Sequence, residues 1–199
     1  MEILAGIVKE LRDKTGAGMM DCKRALEETQ GDATKAIEIL RTKGIATAEK
    51  RAGRATKEGI IDSYIHPGNR LGVLVEINCE TDFVGRTGEI KTFAREIAMQ
   101  VAASSPLVIK REDIPPEKIE KELEIYKNQA REMKKPDAVI EKIALGKLEK
   151  YYQEVCLLEQ QYIKDPARSV KDLLMDLIAK TGENISIRRF ARFRLGEDI

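Results

Sequence analysis

The feature that most restricts this chain is a change of hydrophobic period across the stretch from Lys50 to Gly59. Before it, apolar residues recur every three or four positions; after it, two apolar, β-branched runs flank a short turn. Ile3, Leu4, Ile7, Val8 and Leu11 share one helical face, and Thr15-Gly16-Ala17-Gly18 ends that helix. Met19, Met20, Cys22, Ala25 and Leu26 predict a second helix that stops near Gly31. Asp32 is placed to cap a third, with Ala33, Ala36, Ile37 and Leu40 on one face and Gly44 beyond its end. Three helices this short form a bundle that needs a neighbour for stability. The polar, glycine-containing stretch then reads as a boundary, giving a three-helix module over 1–53 and a core over 54–199.

The core predicts an α+β arrangement. Ile60 to Ile65 and Leu71 to Ile77 bracket His66-Pro67-Gly68-Asn69-Arg70, a hairpin by composition. Ile90, Phe93, Ala94, Ile97, Ala98 and Val101 define a longer helix that Pro106 closes. Over 114–152, Ile119, Leu123, Tyr126, Ala130 and Met133 form a seam matched by Val139, Ile140, Ile143, Ala144 and Leu148 after Pro136. Such spacing predicts a helical hairpin. Ser169 and Asp172 resemble a capping box opening a helix over Val170 to Ile178, and Ile185 to Leu195 reads as a closing strand.

Composition narrows the function classes. Charged residues make up 35%, yet 35 Lys+Arg face 34 Asp+Glu. A surface of ion pairs is expected, and the balance argues against a general polyanion binder. The chain has no apolar run long enough for a membrane span and no signal peptide at its start, so a cytoplasmic protein is expected. Cys22, Cys79 and Cys156 are widely spaced and odd in number, which points to buried reduced thiols, with no disulfide framework or metal site.

Catalytic parts are scarce. His66, the single histidine, sits in the hairpin turn without an obvious partner, and there is no phosphate-binding glycine loop. Asp82-Phe83-Val84-Gly85 matches a four-residue GTPase element, but alone it carries little. An enzyme built on Asp82 and His66 is thus a remote reading, and no catalytic residue or cofactor is expected. Arg188, Arg192 and Arg194 alternate with Phe190 on the last strand, a pattern able to bind RNA; the alternative pairs those arginines with nearby carboxylates. Met19 and Met20 beside glycines suit an adaptable protein interface, or equally the core of the bundle. Phe83 in its polar turn would ordinarily be a core residue.

Two longer segments change that reading. Leu11-Arg12-Asp13-Lys14-Thr15-Gly16-Ala17-Gly18-Met19-Met20-Asp21-Cys22-Lys23-Arg24-Ala25-Leu26 and Val75-Glu76-Ile77-Asn78-Cys79-Glu80-Thr81-Asp82-Phe83-Val84 resemble the elongation factor Ts family, in the right order. The resemblance covers essentially the whole chain. It implies an N-terminal bundle like a ubiquitin-associated domain, followed by an antiparallel-sheet core with packed helices and a helical hairpin. It also implies that the bundle docks on elongation factor Tu through the stretch holding Leu11, Arg12, Thr15, Gly16, Gly18, Met19, Met20 and Lys23. Thr81, Asp82, Phe83 and Val84 would then dislodge magnesium from that partner. Longer members have a core of two similar halves, whereas this chain has one. The resemblance therefore implies a homodimer; from the balanced charge and the lack of an apolar span, no direct nucleic-acid or membrane binding is expected.

Overall fold

The structure is a computed structural model describing residues 3–51, 53–133 and 136–197. Eight α-helices and five β-strands occur among these residues, an α+β protein. They divide into two compact units: residues 1–60, 77–92 and 172–186 form one, and 61–76, 93–171 and 187–199 the other.

In the first unit, α1 (Ala5–Thr15), α2 (Met19–Glu28) and α3 (Ala33–Arg51) enclose a small core of Val8, Leu11, Cys22, Ala25, Leu26, Ala36 and Leu40. Gly16 ends α1 in the left-handed region, its N–H donating to the Arg12 carbonyl at 2.7 Å. Asp32 does cap α3. Its carboxylate accepts the Lys35 N–H at 3.1 Å, and that bond is the main cause holding its pKa below the usual value. Two expectations need correction. Helix α3 does not stop before Gly44 but runs through it to Arg51. A Cβ on Gly44 would stand 3.2 Å from the Ala179 side chain on α8 (Val170–Thr181), so this glycine serves close helix approach and ends nothing. Ile37 is exposed, and Ile39 packs against the core in its place.

The main sheet has the order β1 (Glu58–Ile65), β2 (Leu71–Cys79), β5 (Ile185–Arg194). The hairpin closes with the His66 N–H on the Leu71 carbonyl at 2.9 Å, which sets Ile65 opposite Gly72 and Ser63 opposite Leu74. The Leu195 N–H reaches the Arg70 carbonyl at 2.9 Å, and Arg189 pairs with Glu76 at 2.6 Å. Strand β5 therefore runs antiparallel to β2, with Phe193 opposite Gly72 and Ala191 opposite Leu74.

The second unit also holds the hairpin of α6 (Pro116–Glu132) and α7 (Asp137–Val155). Ala130, Ile140, Ala144 and Leu148 are buried along its seam, whereas Met133 and Val139 lie exposed. At the base, Ile114, Leu148, Tyr152 and Cys156 form a core beneath Arg111, which pairs with Glu149 and Glu159 and lies 4.4 Å over the Tyr152 ring. A feature the hydrophobic pattern did not disclose is the ribbon of β3 (Gln161–Tyr162) and β4 (Asp165–Ser169). It is tied to α5 (Gly88–Ser104) by Gln100. That fully buried side chain donates to the Gln160 side chain at 3.2 Å and the Gln161 carbonyl at 3.1 Å, and accepts the Ile163 N–H at 2.9 Å. All three cysteines are buried and free. Among the described residues no helix is long and apolar enough to cross a membrane.

Candidate functional site

Strand β2 ends at Cys79, and two residues later the chain makes α4, the single helical turn Asp82–Gly85. Thr81 is its N-cap, in extended conformation, with its hydroxyl oxygen accepting the Val84 N–H at 3.4 Å. Val84 and Gly85 turn inward. Gly85 stands where a Cβ would lie 3.4 Å from the Cys79 sulfur and 3.5 Å from the Gly59 carbonyl. With these two facing in, a step of about 100° per residue turns Asp82 and Phe83 outward. Phe83 is 77% exposed, far from the core position usual for a phenylalanine.

The residue before this turn is gripped at every polar atom. Glu183 accepts the Thr81 N–H at 3.0 Å and its O–H at 2.6 Å. The Thr81 carbonyl accepts the Cys79 thiol at 3.1 Å and the Gly85 N–H at 3.2 Å. Burial, and next the Glu183 charge, push the Cys79 thiol up, which keeps it a donor. The neighbouring Glu80 accepts the Asn184 N–H at 2.6 Å and pairs with Arg54 at 3.5 Å. Asp82 itself pairs with Arg86 at 2.7 Å across one helical turn. Both side chains are mostly exposed, so this pair is worth only ~0.3–0.5 kcal/mol and breaks readily.

The N-terminal candidates separate by burial. Leu11 belongs to the bundle core, while Arg12, Gly18, Met19, Met20 and Lys23 are exposed. Thr15 is half-buried and donates its hydroxyl to the Leu11 carbonyl at 2.7 Å. The Lys180 stem lies 3.1 Å from the place of a Cβ on Gly16. The two methionines thus form an apolar surface at the start of α2, outside the core. Lys23 meets Glu27 at 3.8 Å, in a loose pair one turn away.

A family model described as elongation factor TS matches residues 8–197. The chain belongs to the elongation factor Ts family. A protein named elongation factor Ts from Carboxydothermus hydrogenoformans is 62% identical over 197 residues, covering 99% of this chain and 91% of that protein. One from Thermoanaerobacter sp. (strain X514) is 60% identical, covering 99% and 97%. One from Thermotoga petrophila is 59% identical, covering 99% and 98%. Membership in the elongation factor Ts family thus extends from the two quoted segments to nearly every element described above.

Elsewhere the structure offers little chemistry. His66 takes a hydrogen bond with the Tyr64 hydroxyl at 2.9 Å, and among the described residues no cluster of His, Cys, Asp and Glu could hold a metal ion. On β5, Arg189 meets Glu76 at 2.6 Å and Arg192 meets Glu197 at 2.7 Å, so two of its arginines already face carboxylates. Sequence reasoning missed Glu183 and Asn184. They lie about a hundred positions from Thr81 and Glu80, and no local spacing links the two pairs.

Proposed function

We propose that this chain is a guanine nucleotide exchange factor for elongation factor Tu. It binds the GDP complex, disturbs the Mg²⁺ site there, promotes GDP release and is displaced by GTP. The observation that carries this reading is Phe83, an aromatic side chain held almost fully in solvent by a turn whose backbone is fixed on the protein behind it. An aromatic presented on a fixed turn suits a cleft in a partner.

Mg²⁺ requires near-octahedral oxygen geometry at short distances. An aromatic wedge pressed beside that ion shifts the groups supporting it. Asp82, released from its weak pair with Arg86, competes for the ion's water ligands and nearby donors. The phosphates then lose counter-charge and GDP leaves. By linkage, a factor that weakens nucleotide binding is itself weakened by nucleotide to the same degree, so GTP ends the encounter. No covalent step is involved, and neither a catalytic residue nor a cofactor is required. The exposed face of Arg12, Gly18, Met19, Met20 and Lys23 in the 1–53 module supplies docking, and the chain works in the cytoplasm as a homodimer. The balanced net charge of +1 supports a protein partner over nucleic acid.

Release of mant-GDP from purified elongation factor Tu tests this directly. Burying a phenylalanine is worth ~1.5–3 kcal/mol, so Phe83→Ala is expected to slow stimulated release roughly 10- to 100-fold. Its thermal midpoint should match the parent's, because the ring packs on little of its own chain. Release as fast as with the parent protein would remove Phe83 from the mechanism.

A further inference from the structure

We infer that Glu183 is a positioning residue for nucleotide exchange, acting only through Thr81 to hold the Phe83 turn in its productive geometry. This rests on the exchange reading above. A threonine hydroxyl has one proton and two lone pairs. Here the proton goes to Glu183 at 2.6 Å, so a lone pair is left aimed at the Val84 N–H that the cap must satisfy. The second carboxylate oxygen takes the Thr81 N–H at 3.0 Å, fixing the backbone one peptide before Asp82. Bidentate acceptance by an ionised group fixes orientation as well as distance. A helix of one turn has too few internal hydrogen bonds to set its own direction, so its aim is borrowed from this clamp.

Glu183 is itself immobilised. Gly182 ends α8 in the left-handed region, with its N–H on the Ile178 carbonyl at 3.0 Å. The Glu183 N–H meets the Thr181 hydroxyl at 3.4 Å, and that hydroxyl donates to the Leu177 carbonyl at 2.9 Å. Next in the chain, Asn184 is buried; its N–H donates to Glu80 at 2.6 Å and its side-chain amide to the Arg54 carbonyl at 2.7 Å. The end of α8 and the end of β2 are therefore stitched side by side at two successive residues. A wedge that must displace groups in another protein loses force if its base can rotate, since the work then goes into bending the turn.

The test is a double-substitution cycle with full-length protein, read by mant-GDP release from elongation factor Tu across a range of factor concentrations. Glu183→Ala and Thr81→Val should each lower the maximal stimulated rate roughly tenfold, with the half-saturating concentration changed less than about twofold. The loss in the double variant should fall well short of the product of the two single losses, because both remove the hydroxyl bond, and Thr81→Val leaves only the N–H bond for Glu183→Ala to remove. Glu183→Gln keeps one acceptor and should fall between parent and Glu183→Ala, and it serves if the alanine variant folds poorly. Amide exchange at Val84 and Gly85 should quicken in every variant while the thermal midpoint holds. A parent-like maximal rate for both Glu183 variants, or additive losses in the double variant, would overturn the inference. If Phe83→Ala is also without effect, the exchange reading itself fails; if Phe83→Ala alone is impaired, only the role of Glu183 does.

Discussion

At the scale of single residues, the Asp82–Gly85 turn depends on a glycine that is not part of it. Gly59 adopts a φ of +150°, and a Cβ there would lie 2.1 Å from the Ile77 carbonyl oxygen. Its backbone also forms the floor against which Gly85 rests, so β1, β2 and α4 meet at two residues that lack side chains. No rotamer change relieves a collision with backbone. Gly59→Ala is therefore expected to destabilise the protein by at least about 2 kcal/mol, combining strain with displacement of the strand pair. Chemical denaturation would show this as a lower midpoint with an unchanged slope. An alanine variant within about 0.5 kcal/mol of the parent would mean that the strands separate there at little cost.

Elements show where sequence is informative and where it is not. Helices whose apolar residues hold a steady period, such as α1, α2, α5 and α6, are legible as elements, but the stripe overstates burial: Ile7, Met19 and Met20 are exposed, and α6 buries Ala130 alone. Gly44 misleads because glycine marks a helix end and a close helix approach equally well; only Ala179, far along the chain, decides between them. The burial of Gln100 has no signal in the sequence, since only the β3–β4 ribbon, distant along the chain, supplies its partners. The Thr81–Val84 turn is legible as a motif, but its tie to Glu183 is not, because Glu183 is joined to Thr81 by the fold alone. The α6–α7 hairpin carries a consequence of burial that no pattern discloses. Burial raises the Cys156 thiol to about 11, and burial together with its hydrogen bond to the Glu122 carboxylate raises the Tyr126 hydroxyl to about 12. Both are acids whose folded values exceed the unfolded ones of about 8.5 and 10. The native state thus keeps protons that the unfolded chain has released, and stability present at neutral pH is lost as pH climbs from about 9 toward 11 and beyond. A rise from about 8.5 to about 11 in one thiol corresponds to on the order of 3 kcal/mol. Denaturation midpoints of the parent and of Cys156→Ala, compared at pH 8 and pH 11, should converge at the higher pH as the parent loses more.

At the scale of the whole molecule, the homodimer proposal needs a surface, and the sheet provides one. Ile61, Ile65, Leu74 and Phe193 are 69%, 56%, 47% and 65% exposed. The register places all four on the same face: Ile65, Gly72 and Phe193 lie across the three strands in one row, and Ser63, Leu74 and Ala191 in the next. Ile65 leans over Gly72, its terminal methyl 3.0 Å from where a Cβ would stand, so the patch is continuous over the strand that lacks a side chain. Glu76 and Arg189 border it as an ion pair, the polar rim expected of an interface. Two copies facing each other cover eight such side chains, worth on the order of 10 kcal/mol. That offsets an association cost of about 4–15 kcal/mol, so a dimer is expected at moderate concentration and a single central charge should break it. Phe193→Glu places an unpaired carboxylate in that face and should give the mass of one 22.4 kDa chain by sedimentation, while the parent gives twice that mass. Its unfolding midpoint measured as a monomer should stay close to the parent's at high dilution, because Phe193 is exposed within its own chain. A Phe193→Glu protein that still sediments as a dimer would move the interface to another surface, with the exposed edges of β1 and β5 the next to test.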